Sequence, residues 1–352
     1  MKHETFTLEN LDALASFDEI IDVRSPAEFT EDHLPGSSNH PVLDDRQRAE
    51  VGTLYKQVSP FEARKIGAAY VAANIASHLQ KHFLDRPKNW HPLIVCWRGG
   101  QRSGALTHIF RRIGWDAQQL DGGYKTYRRL VIDNLVDLPG KLTLAVLCGA
   151  TGSGKSRVLQ AIAGLGEQVL DLENLACHKG SVLGALPGYP QPSQKQFESK
   201  LLAALRAFDR QRTVYVEAES RKIGTLHLPM AMIGAMRAAR CLEIVADFDA
   251  RVDFLLADYQ YFTAAPDWLA SRLSTLQPLH SAETFRRWRD YLAQRKWREL
   301  VRELLTLHYD PLYRRSQTQN YAGYGAPLTL TTTDLHPAGI ESLARRIVTS
   351  TP

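Results

Sequence analysis

Gly149-Ala150-Thr151-Gly152-Ser153-Gly154-Lys155-Ser156 has the form G-x-x-x-x-G-K-[ST] of a phosphate-binding loop. Leu142-Thr143-Leu144-Ala145-Val146-Leu147, just before it, reads as a buried strand, and Arg157 to Ala163 can continue as a helix. Strand, loop and helix in that order are what the chemistry requires. Gly149, Thr151, Gly152, Ser153 and Gly154 turn backbone N–H groups inward on a phosphate, and the helix N-terminus adds partial positive charge. Lys155 reaches the outer phosphate and the Ser156 hydroxyl can ligate Mg²⁺. The bland alternative is a glycine-rich turn with an incidental lysine, against which the preceding strand argues. A bound diphosphate or polyphosphate is expected.

Downstream, Gln168-Val169-Leu170, Thr213-Val214-Tyr215-Val216, Leu242-Glu243-Ile244-Val245 and Leu328-Thr329-Leu330-Thr331 read as further strands between helical segments. This alternation predicts an α/β domain with a parallel sheet and its ligand at the strands' carboxyl ends. Glu217 follows the second of these strands, where such folds place an acidic residue that orients Mg²⁺ or water, and Glu219 shares its face if the strand continues. Glu219 is equally readable as a solvated charge at a strand end, Glu217 less so, and His178 and Lys179 read as well as plain surface residues. Residues 250 to 320 read as a helical insertion. Phe285-Arg286-Arg287-Trp288-Arg289 and Arg295-Lys296-Trp297-Arg298 interleave bases with aromatics, which suits phosphates and unstacked bases. The same spacing equally fits a core face of Trp288, Tyr291 and Leu292 with solvated arginines. His308-Tyr309-Asp310-Pro311-Leu312-Tyr313-Arg314-Arg315 gathers many functional side chains around a proline turn.

Upstream, Leu138-Pro139-Gly140-Lys141 reads as a linker, giving expected domains of 1–137 and 138–352. In the first, Ile20 to Arg24 is a short strand and Pro26 starts a helix. A helical stretch around Ala63 to Phe83 leads to the strand Pro92-Leu93-Ile94-Val95, which ends at Cys96; Trp97 to Ser103 form a loop and Gly104 to Ile113 a helix. Loop N–H groups, the helix dipole, Arg98 and Arg102 converge on the Cys96 sulfur and favour its thiolate. Such a cradle also suits a terminal sulfur or selenium carried on the cysteine. The C-x5-R spacing from Cys96 to Arg102 fits a cysteine phosphatase too, but no histidine precedes the cysteine and no general-acid aspartate sits in the loop; an inert buried thiol is the remaining reading.

The chain has 352 residues, room for two domains, with 44% apolar residues. No run approaches the roughly 18 apolar residues of a membrane span, and a cytoplasmic protein is expected. Its four cysteines, far apart and without a C-x-x-C pair, argue for reduced thiols. Residues 1–140 carry 17 Lys+Arg against 18 Asp+Glu, and 141–352 carry 26 against 20, so the positive excess lies entirely downstream and permits an anionic partner.

I-D-V-R-S-P-A-E-F, H-L-P-G, the strand-Cys-loop-helix and Asp121-Gly122-Gly123-Tyr124 together resemble a rhodanese-type domain. Joined to the phosphate loop, L-D-L-E-N-L-A-C-H-K-G-S, Q-P-S-Q-K-Q-F-E, V-Y-V-E-A-E-S-R-K-I-G and H-Y-D-P-L-Y-R-R-S, they resemble the bacterial tRNA 2-selenouridine synthase family over nearly the whole chain. Cys177 is a departure, where a small or amide residue is expected. The resemblance implies a transferase acting on the wobble uridine of tRNA, with geranyl diphosphate and selenophosphate as co-substrates. It implies that Gly149 to Ser156 hold diphosphate, that Cys96 carries selenium beside Arg98 and Arg102, and that Glu217 and Glu219 orient Mg²⁺ or the base. Arg287, Arg298, Tyr309, Arg314 and Arg315 would hold the anticodon arm, and a monomer is expected. Two other readings stand beside it: a phosphate-loop kinase or NTPase with a phosphatase or sensor half, and a nucleotide-gated RNA-binding adaptor.

Overall fold

Short apolar runs, each followed by a longer amphipathic one, assemble into two separate parallel sheets. The computed structural model describes residues 5–313 and 327–351, and the chain divides into two units, Met1–Asn134 and Leu135–Pro352. The first unit holds β1 (Thr5–Phe6), β2 (Glu19–Asp22), β3 (Ser37–Asn39), β4 (Pro92–Val95) and β5 (Gln118–Leu120), in the order β1-β5-β4-β2-β3 with every pair parallel. Central β4 is buried on both faces, which explains its unbroken apolar run. Phe83, Trp90, Phe110 and Trp115 pack edge to face or tilted in the core beside it.

One ion pair is buried in this unit. The Arg24 guanidinium donates to Asp22 at 2.6 Å and to the Asp32 carbonyl at 2.7 Å, and lies 4.0 Å over the Tyr124 ring. Tyr124 closes the set by donating to the Asp32 carboxylate at 2.7 Å. The I-D-V-R stretch and D-G-G-Y are therefore one construction, joining the β2 end to the segment under the Cys96 loop.

The second unit holds β6 (Leu144–Cys148), β7 (Gln168–Leu170), β8 (Val214–Glu217), β11 (Arg240–Ala246) and β12 (Leu328–Thr332), ordered β12-β11-β6-β8-β7 and all parallel. A small antiparallel hairpin, β9 (Lys222–Ile223) with β10 (Leu226–His227), is the exception. After β6 the chain moves to β8 and β7 on one side, then to β11 and β12 on the other. The phosphate loop thus leaves β6 at the topological switch point, where open α/β sheets bind ligands.

Residues 248–309 are helical, and their side chains form a core of their own around Phe262, Leu273, Leu276 and Trp288. Trp288 is fully buried, and its indole N–H donates to Glu303 at 3.0 Å. Of the two readings of the basic-aromatic helix, the core face holds for Trp288, with Tyr291, Leu292 and Trp297 packed against it. Trp288→Ala should therefore cost about 3–5 kcal/mol of stability, read as a lower urea midpoint of the full chain. A loss under about 0.5 kcal/mol, as at an exposed site, would contradict this packing.

Candidate functional site

The loop at residues 149–156 is built on three glycines with positive φ, at 152°, 82° and 78° for Gly149, Gly152 and Gly154. A Cβ at Gly149 would meet the Ile244 carbonyl at 2.8 Å, and one at Gly154 would meet Ile340 at 2.9 Å, so strand and helix can close on the loop only over glycine. The helix Lys155–Gly164 starts directly after it. The Lys155 ammonium folds back on the Gly149 carbonyl at 2.7 Å, and desolvation lowers its pKa even though Glu173 and Glu219 oppose the shift. A lysine held this way gains from an incoming anion.

Two residues that sequence reasoning left unassigned complete the loop. Buried Arg251 donates to the Thr151 carbonyl at 2.9 and 2.8 Å, and forks onto Asp310 at 2.6 and 3.1 Å. Asp310 of H-Y-D-P thus clamps the phosphate loop through Arg251. Its neighbour His308 is buried against His280, 3.1 Å away. The second residue is Glu173, whose carboxylate accepts the Ser156 hydroxyl at 2.7 Å. Glu217 is buried at the end of β8 and accepts the Glu173 N–H at 2.7 Å, while its other oxygen has no partner. Glu217 therefore stands behind Glu173 rather than at the cleft wall. Glu219, past the strand end, does line the cleft.

Burial raises the pKa of Glu173, of Glu217 strongly, and of Glu219 to about 8; mutual repulsion adds to each of the last two. The hydroxyl of Ser156 and the carboxylates of Glu173 and Glu219 are hard oxygen donors with an unrelieved charge, a set that fits Mg²⁺. When bound there, Mg²⁺ would neutralise a departing phosphate oxygen.

The cleft over the loop measures about 420 Å³ and is lined by Lys155, Lys179, Arg221 and Arg237 among others. Lys179 pairs with Asp258 and lies 4.2 Å over the Tyr259 ring. An apolar pocket opens beside the cleft between Leu255, Phe262, Trp297, Leu300 and Leu304. Thr151, Ser181, Leu255, Tyr259 and Tyr309 line both. Tyr309, which the sequence assigned to RNA, sits at this junction, where burial pushes its hydroxyl up to about 12.

In the first unit Cys96 is buried at the end of β4, and its sulfur accepts the Gly100 N–H at 3.3 Å and the Ser103 hydroxyl at 3.0 Å. Gly123 has φ 58°, and a Cβ there would collide with the Cys96 carbonyl, so D-G-G-Y seats the loop from below. Arg102 does not donate to the sulfur. It forks onto Glu28 at 2.6 and 3.1 Å, while Arg98 is exposed. All four cysteines are free thiols.

Arg287 is paired with Glu303 at 2.7 Å, and Arg298 with Asp253 and with Asp249 at 3.1 Å. The Arg298 pairs are exposed, and such pairs are worth about 0–1 kcal/mol, so a phosphate could displace Asp249 and Asp253 at little cost, whereas Glu303 is half-buried and also accepts from Trp288 and Tyr291. Arg314 and Arg315 lie outside the described residues. Among the described residues no helix is long and apolar enough to cross a membrane.

Two family models match the chain: a rhodanese-like domain over residues 7–130 and the tRNA 2-selenouridine synthase AAA domain over 142–295. Among curated proteins, the chain is 36% identical over 265 residues to a tRNA 2-selenouridine synthase of Nitrosomonas europaea, covering 74% of this chain and 68% of that protein. A second from Nitrosomonas eutropha is 35% identical over 288 residues, covering 80% and 73%. A third, from Shewanella piezotolerans, is 31% identical over 336 residues, covering 86% and 89%.

The acidic cluster carries a pH signature. Because the folded state holds the Glu219 proton up to about 8, it binds more protons than the unfolded chain, and this group's contribution lowers stability as pH rises from about 4.5 to about 8. In metal-free protein, Glu219→Gln should reduce the fall in melting temperature across that range and raise stability at its upper end. An unchanged fall in differential scanning fluorimetry would remove Glu219 from the cluster.

Proposed function

The chain belongs to the tRNA 2-selenouridine synthase family, and on that premise we propose that it converts 2-thiouridine at the tRNA wobble position to 2-selenouridine in two steps. In the first, the C2 sulfur of the base bonds to C1 of geranyl diphosphate. The C1–O bond breaks with its electron pair leaving on diphosphate, and the base loses its N3 proton. In the second, the nucleophilic selenium of selenophosphate attacks C2, the S-geranyl group departs with a proton as geranylthiol, and water cleaves the Se–P bond, leaving selenium on C2 and releasing phosphate. Alkylation serves the exchange because a thione sulfur is a poor leaving group, whereas an alkylated sulfur leaves as a neutral thiol.

One observation carries this reading: an apolar pocket runs into a phosphate-loop cleft through the shared Thr151, Ser181, Leu255, Tyr259 and Tyr309. A prenyl diphosphate is apolar at one end and polyanionic at the other, whereas a nucleotide would bring a polar ribose and base into the same space. In this reading Gly149 to Ser156 hold the diphosphate, and Lys155 neutralises charge as the allylic bond breaks. Ser156, Glu173 and Glu219 would hold Mg²⁺, with Glu217 fixing the Glu173 backbone from behind. The Gly100 N–H and Ser103 hydroxyl stabilise an anion at Cys96, beside which selenophosphate would be held through the exchange, while Glu28 fixes Arg102 at the rim. Arg98 would meet selenophosphate. Arg287, Arg298, Arg314 and Arg315 would contact the anticodon arm, whose affinity then falls with salt.

Nucleoside mass spectrometry on a 2-thiouridine stem-loop incubated with both co-substrates tests the division of labour. Lys155→Ala should abolish S-geranyl-2-thiouridine. Cys96→Ala should leave that product and stop 2-selenouridine. Nucleotide turnover without either product would favour the kinase reading instead. Val301→Trp, which fills the apolar pocket, should raise KM for geranyl diphosphate at least about tenfold while the affinity for inorganic diphosphate holds. An unchanged KM would take the prenyl chain out of that pocket.

A further inference from the structure

Substitution at an allylic carbon brings three ligands to one atom: the chain that carries it, the diphosphate that leaves and the sulfur that arrives. The site has three compartments to match. The first two are the apolar pocket and the phosphate-loop cleft. The third is a cavity of about 700 Å³ on the far side of the turn after Cys177, lined by His178, Tyr189, Lys222, Thr225 and Arg272 among others. Ser181 lines all three, and Gly180 and Val182 line both the cleft and this third cavity. The three spaces therefore meet at H-K-G-S.

The turn is built to be thin and fixed. Gly180 has φ 64°, and a Cβ there would collide with the carboxylates of Glu219 and Glu173, so nothing larger than glycine separates the cavity from the acidic cluster. Lys179 N–H donates to the Gly184 carbonyl at 2.8 Å, and Gly184 N–H to the Ser181 carbonyl at 2.8 Å. Cys177 is held at φ 49°, a conformation that side chains seldom adopt.

The lining has the chemistry of a nucleoside site. Tyr189 is 71% exposed with its ring at the cavity wall, a platform of the kind on which an unstacked base rests. His178 is buried, and its Nδ1 has no hydrogen-bond partner. The residue itself lines the cavity, and burial, reinforced by nearby Arg272, lowers the pKa of its imidazole and so favours the neutral ring beside a base. Lys222 and Arg272 supply positive charge for flanking phosphates. Gln191, by contrast, is committed to the walls: it donates to the Ala176 and Ile223 carbonyls at 3.1 and 3.0 Å and accepts from Thr225 N–H at 2.7 Å.

We propose that this third cavity receives the extruded wobble nucleoside, with its base on Tyr189 and its 2-thio group directed past Gly180 and Ser181 toward the phosphate-loop cleft. The assignment rests on the prenyl-transfer reading of the same site. An enzyme that works on a base must take it out of the anticodon stack, and a pocket next to the reacting centre is where the base goes.

The test is binding, not turnover. With the full chain, the affinity of a stem-loop bearing 2-thiouridine at the wobble position is compared with that of the same stem-loop abasic there, by fluorescence anisotropy without geranyl diphosphate. The wild-type protein should prefer the thiouridine form roughly tenfold, as expected for one stacked base. Tyr189→Ala should bring the two affinities together, and Tyr189→Phe should keep them apart, with the affinity for inorganic diphosphate unchanged in both. Tyr189 is exposed, so its removal takes nothing from the core, and the diphosphate measurement checks the fold. Equal affinities in the wild type, or a preference that survives Tyr189→Ala, would overturn the proposal. Failure to geranylate a stem-loop that still shows the Tyr189-dependent preference would count against the prenyl step and leave the nucleoside pocket standing.

Discussion

The carbonyl of Thr151, held by Arg251, is the contact on which the second unit depends. A phosphate loop needs its N–H groups pointing inward, which leaves carbonyls pointing out with no strand or helix to pair with. Here one of them is bound by a buried guanidinium, itself neutralised by Asp310. Arg251 belongs to the helix Phe248–Asp258, while Asp310 follows the last long helix of the insertion. The same bond that shapes the anion cradle therefore anchors the helical insertion against it, and the apolar pocket exists because Leu255, Tyr259, Leu304 and Tyr309 are carried on those anchored segments. Loss of the clamp would disturb the cradle and the pocket together.

Both units use one device for different ends. A central parallel strand delivers the chain to a glycine-bearing loop, and a helix begins directly after it: β4 to Gln101–Ile113, and β6 to Lys155–Gly164. In each, N–H groups and a helix N-terminus face one point. What occupies that point differs. At the end of β4 a buried cysteine sulfur fills the centre and accepts the Gly100 N–H and the Ser103 hydroxyl. At the end of β6 the centre is open, with a lysine folded across it. The first arrangement favours an anionic sulfur and the second leaves an anion cradle unfilled.

The strands were legible because buried parallel strands are short apolar runs: Pro92–Val95 and Gln168–Leu170 have the bounds their sequences imply. The phosphate loop and the Cys96 loop were legible because glycine positions are dictated by backbone geometry, which sequence records directly. Arg251 and Glu173 were not. Each works through a partner far away in sequence, Asp310 and Ser156 respectively, and nothing local separates Arg251 from any arginine on a helix face. The basic-aromatic helix was ambiguous for a related reason. Helical periodicity marks a face as apolar but does not say whether chain or ligand covers it; only the packing of Trp288 among residues from other helices decides that.

The carboxylates around Lys155 raise the last question, since acids beside a diphosphate site repel the ligand. Two features limit that repulsion. Glu217 is buried against the Glu173 backbone rather than on the cleft wall, and burial with the neighbouring carboxylates raises its pKa well above the usual carboxylate range. Glu219, pushed up to about 8, is also largely protonated there in the empty site. A cation arriving at the cluster favours its ionised form, and the diphosphate meets Lys155, Arg221 and Arg237 beside it, with Lys179 already paired to Asp258, which is how a cleft walled by acids can still select an anion.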